Sequence, residues 1–458
     1  MTNTLGVKLT YDDSLMFSSN LKHHGISEEK LKQMFVETEE IYESVRTKLN
    51  RNEYSFVNLA NDLQAEKACK EMWARFRNKT KRVVIVGIGG AYQTAQMMHQ
   101  AFFDPQKNIP LILCTGTFTD PDELDKVMNF VKGHEKEVLV ITLSKSGTTV
   151  EPVTINIFLK DHFRSLFNEG WKEHFIYVTD EKKGLLIKEV KEYGLYHLPS
   201  SLVGDRFAPL SVLGILSYVI MDVDTSQVLK GAKGLFTSLT TARSINNIPW
   251  RIALYQYIYQ KIYGINVFSV LTYQSRLEEF NMWLRQLWSE SLGKEGKGIV
   301  LFPTMGPKDQ HSILQMFNAG PWFSTFLFIS QKKYNNDRVI TNHGITELNH
   351  FNAKSLSFIT ASSCRNTQLT LKNYDRPSAH LQFSQLDELT FGTLIALFEM
   401  AVVYLGELLK LENIFNQPGV TESREFIDAS LGRHGSQETQ FKLEALEKSI
   451  KKSFINYP

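Results

Sequence analysis

The stretch VLVITLSKSGTTVEP, residues 138–152, constrains the fold more than any other part of the chain. Residues 138–143 are an unbroken run of apolar and β-branched side chains, the length and composition of a parallel strand covered on both faces. Such a strand implies crossover helices and parallel neighbours, hence an α/β layer structure. The strand runs straight into Ser144, Lys145, Ser146, Gly147, Thr148 and Thr149. These supply hydroxyls, one ammonium group and a glycine that lets backbone N–H groups turn inward. A helix starting near Thr149 adds the positive end of its dipole. The combination makes a cradle for a phosphate dianion on a small metabolite, although a hydroxyl-rich turn can also simply cap the next helix. The G-x-x-x-x-G-K-[ST] spacing of a nucleotide P-loop is absent.

At 458 residues the chain exceeds what one core usually supports, so two domains are expected. A formal charge of +2 carries no polyanion-binding signature, and nucleic acid is not an expected partner. Cys69, Cys114 and Cys364 are widely spaced with no CxxC pair, which suggests neither a disulfide framework nor a zinc site. A reducing, cytoplasmic compartment follows as the expectation. The apolar segment 389–409 is interrupted by Gly392, Glu399, Gly406 and Glu407, which argues for a core helix rather than a membrane span. The N-terminus lacks the basic and apolar segments of a secretory signal.

Residues 1–78 are charged and helix-periodic, with ISEEKLKQMF from Ile26 offering a helix start at its serine. They read as an N-terminal helical wrap. From Lys81, KRVVIVGIGG is a strand ending in Gly87, Gly89 and Gly90. A dinucleotide fingerprint would need glycine at 92, where Tyr92 stands, so what remains is a glycine turn that lets a ligand approach the backbone. A strand at 109–115, a helix from about Asp120, a helix from Glu151, a strand at 174–179 and a helix from Lys182 continue a doubly wound pattern. Ligands in such sheets sit beyond the carboxyl ends of the strands, so the Gly87 and Ser144 loops can face one pocket. A second α/β pattern starts near Asn266, with VFSVLTY, IVLFPTM and TFLFIS as strands and a long helix after the first; residues 230–250 form the crossover.

Three further side chains stand out. Arg206 lies in GDRFAPLS before the apolar helix 212–221, where its guanidinium can fix anionic oxygens. In the helix 275–291, Leu277, Phe280, Trp283, Leu284, Leu287 and Trp288 form one stripe, with Glu290 at its margin and Gln286 one turn earlier. A carboxylate at an apolar border loses part of its hydration, which suits a general base. His311 falls just past the strand 299–303, among Asp309, Gln310 and Ser312, polar neighbours able to fix an imidazole tautomer. Each residue taken alone is equally compatible with a structural role. Together, and without metal-ligand spacing, they suggest proton transfer on a phosphorylated substrate.

QLWSESLGK at 286–294, GPKDQH at 306–311 and NQPGV at 416–420 follow SKSGTT in that order. Over about residues 83–432 the chain closely resembles the bacterial-type phosphoglucose isomerase (glucose-6-phosphate isomerase) family. The resemblance implies two sugar-isomerase (SIS-type) domains, each a mainly parallel sheet flanked by helices. On this reading residues 79–235 form the first domain with the phosphate loop, 236–435 the second, and 436–458 a C-terminal helix. It implies reversible interconversion of glucose 6-phosphate and fructose 6-phosphate through ring opening and a cis-enediol, as in glycolysis and gluconeogenesis. No metal or organic cofactor is implied, and the expected assembly is a homodimer with His311 supplied across the interface.

The resemblance also implies roles. Ser144, Lys145, Ser146 and Thr149 would hold the phosphate with Thr148 nearby, and Gly89 and Gly90 fall in the family's G-x-G-G-S turn on the phosphate side. Gln286 and Gln417 would contact sugar hydroxyls, Glu290 would move the proton between C1 and C2, Arg206 would balance the enediolate, and His311 would assist ring opening. Three positions depart from the family: Arg424 replaces a lysine that attends the ring oxygen, Ala91 replaces the serine of G-x-G-G-S, and Asp205 replaces the middle glycine of Gly-Gly-Arg. Asp205 is expected to pair with Arg206 and weaken its pull. The alternative these departures raise is a diverged sugar-phosphate-binding protein with weak or no isomerase activity.

Overall fold

In a computed structural model of the chain, residues 7–201, 203–341 and 344–455 are described. The first six residues of the expected N-terminal wrap and the last three of the C-terminal segment lie outside the described residues.

Among the described residues ten strands form two five-stranded sheets. The first sheet holds β2 (Arg82–Val86), β3 (Leu111–Thr115), β4 (Val138–Leu143), β5 (Phe175–Thr179) and β6 (Tyr196–Pro199), after β1 (Leu9–Asp12), which lies elsewhere. Its order is β3-β2-β4-β5-β6 and every pairing is parallel. All six residues of β4 are buried, as a strand between two helical layers requires. The chain steps outward from β2 to β3 and then returns past β2 to β4, so connections leave these two neighbours in opposite directions. That reversal opens a crevice beyond their carboxyl ends, and it sets the Gly87–Gly90 turn beside the Ser144–Thr149 loop.

The second sheet contains β7 (Val267–Thr272), β8 (Val300–Met305), β9 (Ser324–Gln331) and β10 (Ser378–Phe383), all parallel, with β1 added antiparallel to β10 at the edge. The N-terminal segment is therefore more than a helical wrap, because Leu9–Asp12 completes a sheet with residues far along the chain. Nothing local in LTYD announces this: it is a four-residue edge strand whose exposure simply alternates. Helix starts are more local. Ser27 accepts a hydrogen bond from the Lys30 N–H at 3.0 Å, and Asp120 accepts one from the Glu123 N–H at 3.1 Å. Each satisfies an orphan donor of the first turn.

The Glu388–Leu408 helix is long and apolar enough to cross a membrane, yet 94% of its most apolar window is buried inside the fold. It packs against the Thr225–Leu239 and Ile248–Tyr263 helices, and Glu399 sits in its middle, fully buried, with neither carboxyl oxygen hydrogen-bonded among the described residues. Burial pushes this carboxyl well above the ordinary carboxylate range. The folded chain therefore keeps a proton above the pH at which the unfolded chain loses it, and stability falls as pH rises above that unfolded value. Glu399→Gln is expected to remove that dependence. Chemical denaturation should show the variant gaining on wild type as pH rises above about 5, at up to about 1.4 kcal/mol per pH unit. A constant difference across that range would mean that Glu399 is charged or paired in the folded state.

Candidate active site

The loop after β4 is shaped by its own side chains. Ser144 is buried and its Oγ accepts from the Gly147 N–H at 3.1 Å. Gly147 has φ +64°, and a Cβ there would lie 2.9 Å from the Leu186 nitrogen, so the turn needs glycine on both counts. Ser146 Oγ accepts from the Thr148 N–H at 3.3 Å and from the Thr148 hydroxyl at 3.2 Å, and it lies 3.3 Å from Thr149 Oγ1. Lys145 Nζ donates to the Val203 carbonyl at 3.1 Å. Thr149 occupies the N-cap position of the Val150–Phe167 helix without a side-chain capping bond. The loop is thus not simply a cap. It presents hydroxyls and a helix N-terminus to the crevice.

Facing it, the Gly90–Phe102 helix begins against the backbone of Asp205 and Arg206. A Cβ on Gly90 would come within 2.3 Å of the Asp205 carbonyl carbon, so only glycine permits this approach. The contact fixes the Asp205–Phe207 turn, and the Trp283 indole N–H holds it from the other side by donating to the Arg206 carbonyl at 2.9 Å.

Arg206 is 2% exposed and uses its whole guanidinium fork. Nε donates to Ser291 Oγ at 2.9 Å; Nη1 donates to Glu290 Oε2 at 3.3 Å and Gln417 Oε1 at 3.0 Å. Nη2 donates to the carbonyls of Ile414 at 2.9 Å and Asn416 at 3.1 Å. Burial lowers the guanidinium's pKa and the Glu290 carboxylate draws it back up. Asp205 does not pair with Arg206. Among the described residues its carboxyl makes no ion pair; burial pushes its pKa up, opposed by the charges of Lys145 and Arg424. The adjacent arginine is turned instead toward Glu290.

The stripe anticipated on the Glu278–Leu292 helix is the buried face: Phe280, Trp283, Leu284, Leu287 and Trp288 are fully covered. That orientation leaves Glu290 at the rim, 31% exposed, with Oε2 on Arg206 and Oε1 accepting from Gln286 Nε2 at 3.0 Å. One carboxylate is thus aimed by two neutral or cationic donors while keeping an open side.

A cavity of about 730 Å³ brings these groups together. Gly89, Gly90, Ser144, Lys145, Ser146, Thr148, Thr149, Arg206, Gln286, Glu290, Gln417 and Arg424 all line it. His311 does not. It is exposed at the end of the Gly306–Gln310 helix, and its imidazole makes no hydrogen bond among the described residues. The neighbours expected to fix its tautomer are engaged elsewhere. Asp309 accepts from the Met305 N–H at 2.7 Å and from Ser312 Oγ at 3.0 Å, while Gln310 donates to the Tyr273 hydroxyl at 2.7 Å.

Sequence reasoning missed further lining residues, among them Asp180, Lys183, Asp428 and Arg433. Asp180 was within reach, since it follows β5 and lies at the same carboxyl edge as Ser144. Asp428 and Arg433 pair with each other on the outlying C-terminal segment, where no local pattern marks them. Among the described residues no group of three His, Cys, Asp or Glu is placed to hold a metal ion.

Two relatives extend over most of the chain. The glucose-6-phosphate isomerase of Mycoplasmopsis synoviae is 30% identical over 403 residues, covering 83% of this chain and 90% of that protein. The glucose-6-phosphate isomerase of Methanocaldococcus jannaschii is 26% identical, covering 91% and 98%. Among solved structures, a hypothetical protein from Thermus thermophilus superposes with a TM-score of 0.82 at 22% identity, covering 93% of this chain and all of that one. A glucose-6-phosphate isomerase from Chlamydia trachomatis does so with a TM-score of 0.80 at 20% identity, covering 96% and 92%, which extends the shared fold to both sheets. A family model described as phosphoglucose isomerase matches residues 55–442, a span that holds both sheets apart from β1 and all the cavity residues named above, and the chain therefore belongs to the phosphoglucose isomerase family.

Proposed function

We propose that the chain interconverts glucose 6-phosphate and fructose 6-phosphate, with Glu290 carrying the proton between C2 and C1. The reading rests on one observation above all: Glu290 and the 144–149 loop line a single cavity. The loop grips the phosphate, which brings the other end of the sugar to the Glu290 carboxylate. In the aldose-to-ketose direction Glu290 takes the C2 proton, the electrons pass into a cis-enediolate whose O1 takes the proton of the C2 hydroxyl, and the same carboxyl returns its proton to C1 as the C2 carbonyl forms. Arg206 lies against Glu290 and balances the charge that develops on the enediolate oxygens. Gln286 and Gln417 hold sugar hydroxyls.

The pyranose ring must open first, with a proton reaching the ring oxygen. Arg424 donates a hydrogen bond there but gives up a proton far less readily than lysine, so His311 handles the proton. Since His311 stands outside its own cavity, it serves that of a second copy in a homodimer. The Leu356–Asn373 helix packed beneath its turn supports such an interface, exposing Leu356 at 52%, Phe358 at 53% and Leu369 at 44%. We place the enzyme in the cytoplasm, in glycolysis and gluconeogenesis.

The purified chain incubated with fructose 6-phosphate is expected to form glucose 6-phosphate; no conversion overturns the reading. The shared site has its own check. Glu290→Gln and His311→Ala subunits, each inactive alone, should regain about a quarter of wild-type activity after mixing at equal amounts, because about half the dimers then carry one intact site. Absence of any recovery, with exchange of subunits verified, would mean that His311 does not serve the partner's cavity.

A further inference from the structure

Lys294, at the end of QLWSESLGK, lies outside the cavity lining yet touches the segment that carries two of its walls. Its Nζ donates to the carbonyl of Asn413 at 2.8 Å, the carbonyl of Asn416 at 2.7 Å and Asn416 Oδ1 at 3.0 Å. The Asn416 carbonyl is also a partner of Arg206, so two cations grip one peptide group immediately before Gln417. The rest of the 293–297 turn follows the same seam. Glu295 Oε1 accepts from the Glu412 N–H at 3.0 Å, and Lys297 Nζ donates to the Lys410 carbonyl at 3.1 Å.

What hangs from this loop is weakly held by anything else. The Pro418–Val420 turn leads into the Thr421–Ser430 helix, which bears Arg424; that helix packs chiefly on the turn and on the Gln437–Ser449 helix, and only Ala429 in it is buried. Segments with so little burial open at low free-energy cost unless they are anchored where they join the body.

We propose that Lys294 is a positioning residue: its ammonium, together with Arg206, locks the 413–417 loop and so sets where Gln417 and the Arg424 helix stand relative to Glu290, and loss of its proton releases the lock. The kinetic consequence rests on the isomerase reading; the lock itself does not. Burial first, and the Arg206 charge second, pull the Lys294 pKa down to about 8, opposed by Glu295 and Glu290. Glu412, Lys297 and Lys410 are the other charged side chains along the seam. A neutral amine keeps two donors for three acceptors and loses the charge that strengthens each bond.

Amide hydrogen exchange on the full chain reads the lock directly, with Lys294→Met and Lys294→Arg as variants. Lys294→Met is expected to speed exchange across 413–417 by about tenfold or more, leaving the Glu278–Leu292 helix unchanged. Its kcat should fall by about 10²-fold while KM moves by less than roughly threefold, since the phosphate grip lies elsewhere. In wild type, loop exchange corrected for the intrinsic amide rate should rise between about pH 7 and 9, and Lys294→Arg, which stays charged, should abolish that rise. Unchanged exchange in Lys294→Met overturns the proposal, as does an increase spread equally over the Glu278–Leu292 helix, or a pH-dependent rise that survives in Lys294→Arg. A wild type that fails to convert fructose 6-phosphate refutes the isomerase reading, while the exchange data still judge the lock.

Discussion

Glu290→Gln is expected to lower kcat by at least about 10³-fold while leaving sugar-phosphate affinity within a fewfold of wild type. The amide is isosteric and can still accept from Arg206 through its oxygen, so the local geometry survives. What disappears is the group able to take a proton from carbon. The hydroxyls of 144–149, to which the proposed function assigns the phosphate, belong to another sheet edge and remain intact. Stability should change by only about 1 kcal/mol, because the carboxylate is 31% exposed and water already screens its pairing. Calorimetric titration with the sugar phosphate, a coupled isomerase assay and NMR detection of C2 deuterium exchange in heavy water separate binding from chemistry. Undiminished C2 exchange in the variant would remove Glu290 from the proton transfer.

Arg206→Met should cost both activity and stability, and this double loss distinguishes it from Glu290→Gln. The guanidinium is 2% exposed and satisfies Ser291, Glu290, Gln417 and the carbonyls of Ile414 and Asn416 at once. Methionine fills part of the volume but leaves the buried Ile414 carbonyl without its donor and takes the charged partner from Glu290, while the Asn416 carbonyl keeps only Lys294. Removing one partner of a buried pair costs about 3–5 kcal/mol, and the 31% exposure of Glu290 places this case toward the lower end. Loss of the charge opposite the enediolate should lower kcat by a further factor of about 10²–10³ at temperatures where the variant is folded. Arg206→Lys should recover little, since one ammonium cannot span acceptors spread over a planar fork. Urea denaturation followed beside kcat checks both halves. A variant within about 1 kcal/mol of wild type would mean that the fork does not hold the 414–417 loop to the body.

Several parts of this architecture are written in short stretches of sequence. The run 138–143 becomes β4 with the same limits, and the stripe from Leu277 to Trp288 becomes the covered face of its helix. In both, burial periodicity comes from neighbouring residues. The hydroxyls of 144–149 suggest an anion cradle for the same reason, being consecutive. Motifs in order then carry the family. Asp205 shows the limit of adjacency: its place next to Arg206 in sequence suggests a pair, yet the arginine's partners lie 84 and 211 residues further on, at Glu290 and Gln417. His311 shows the same limit, because its polar sequence neighbours face Met305 and Tyr273 rather than the imidazole.

By itself, then, the amino-acid order located most of the strands, though not Leu9–Asp12, Tyr196–Pro199 or Ser378–Phe383, the hydroxyl-rich loop suited to an anion, and the family the chain resembles, since those properties depend on residues within a few positions of each other. Only the tertiary structure decided that Leu9–Asp12 closes the second sheet, that Arg206 serves Glu290 rather than Asp205, and that Lys294 grips a loop 119 residues away. Those outcomes are set by which distant carbonyls and carboxylates must find donors once water is excluded, and that requirement arises only when the two sheets and the helices between them have packed.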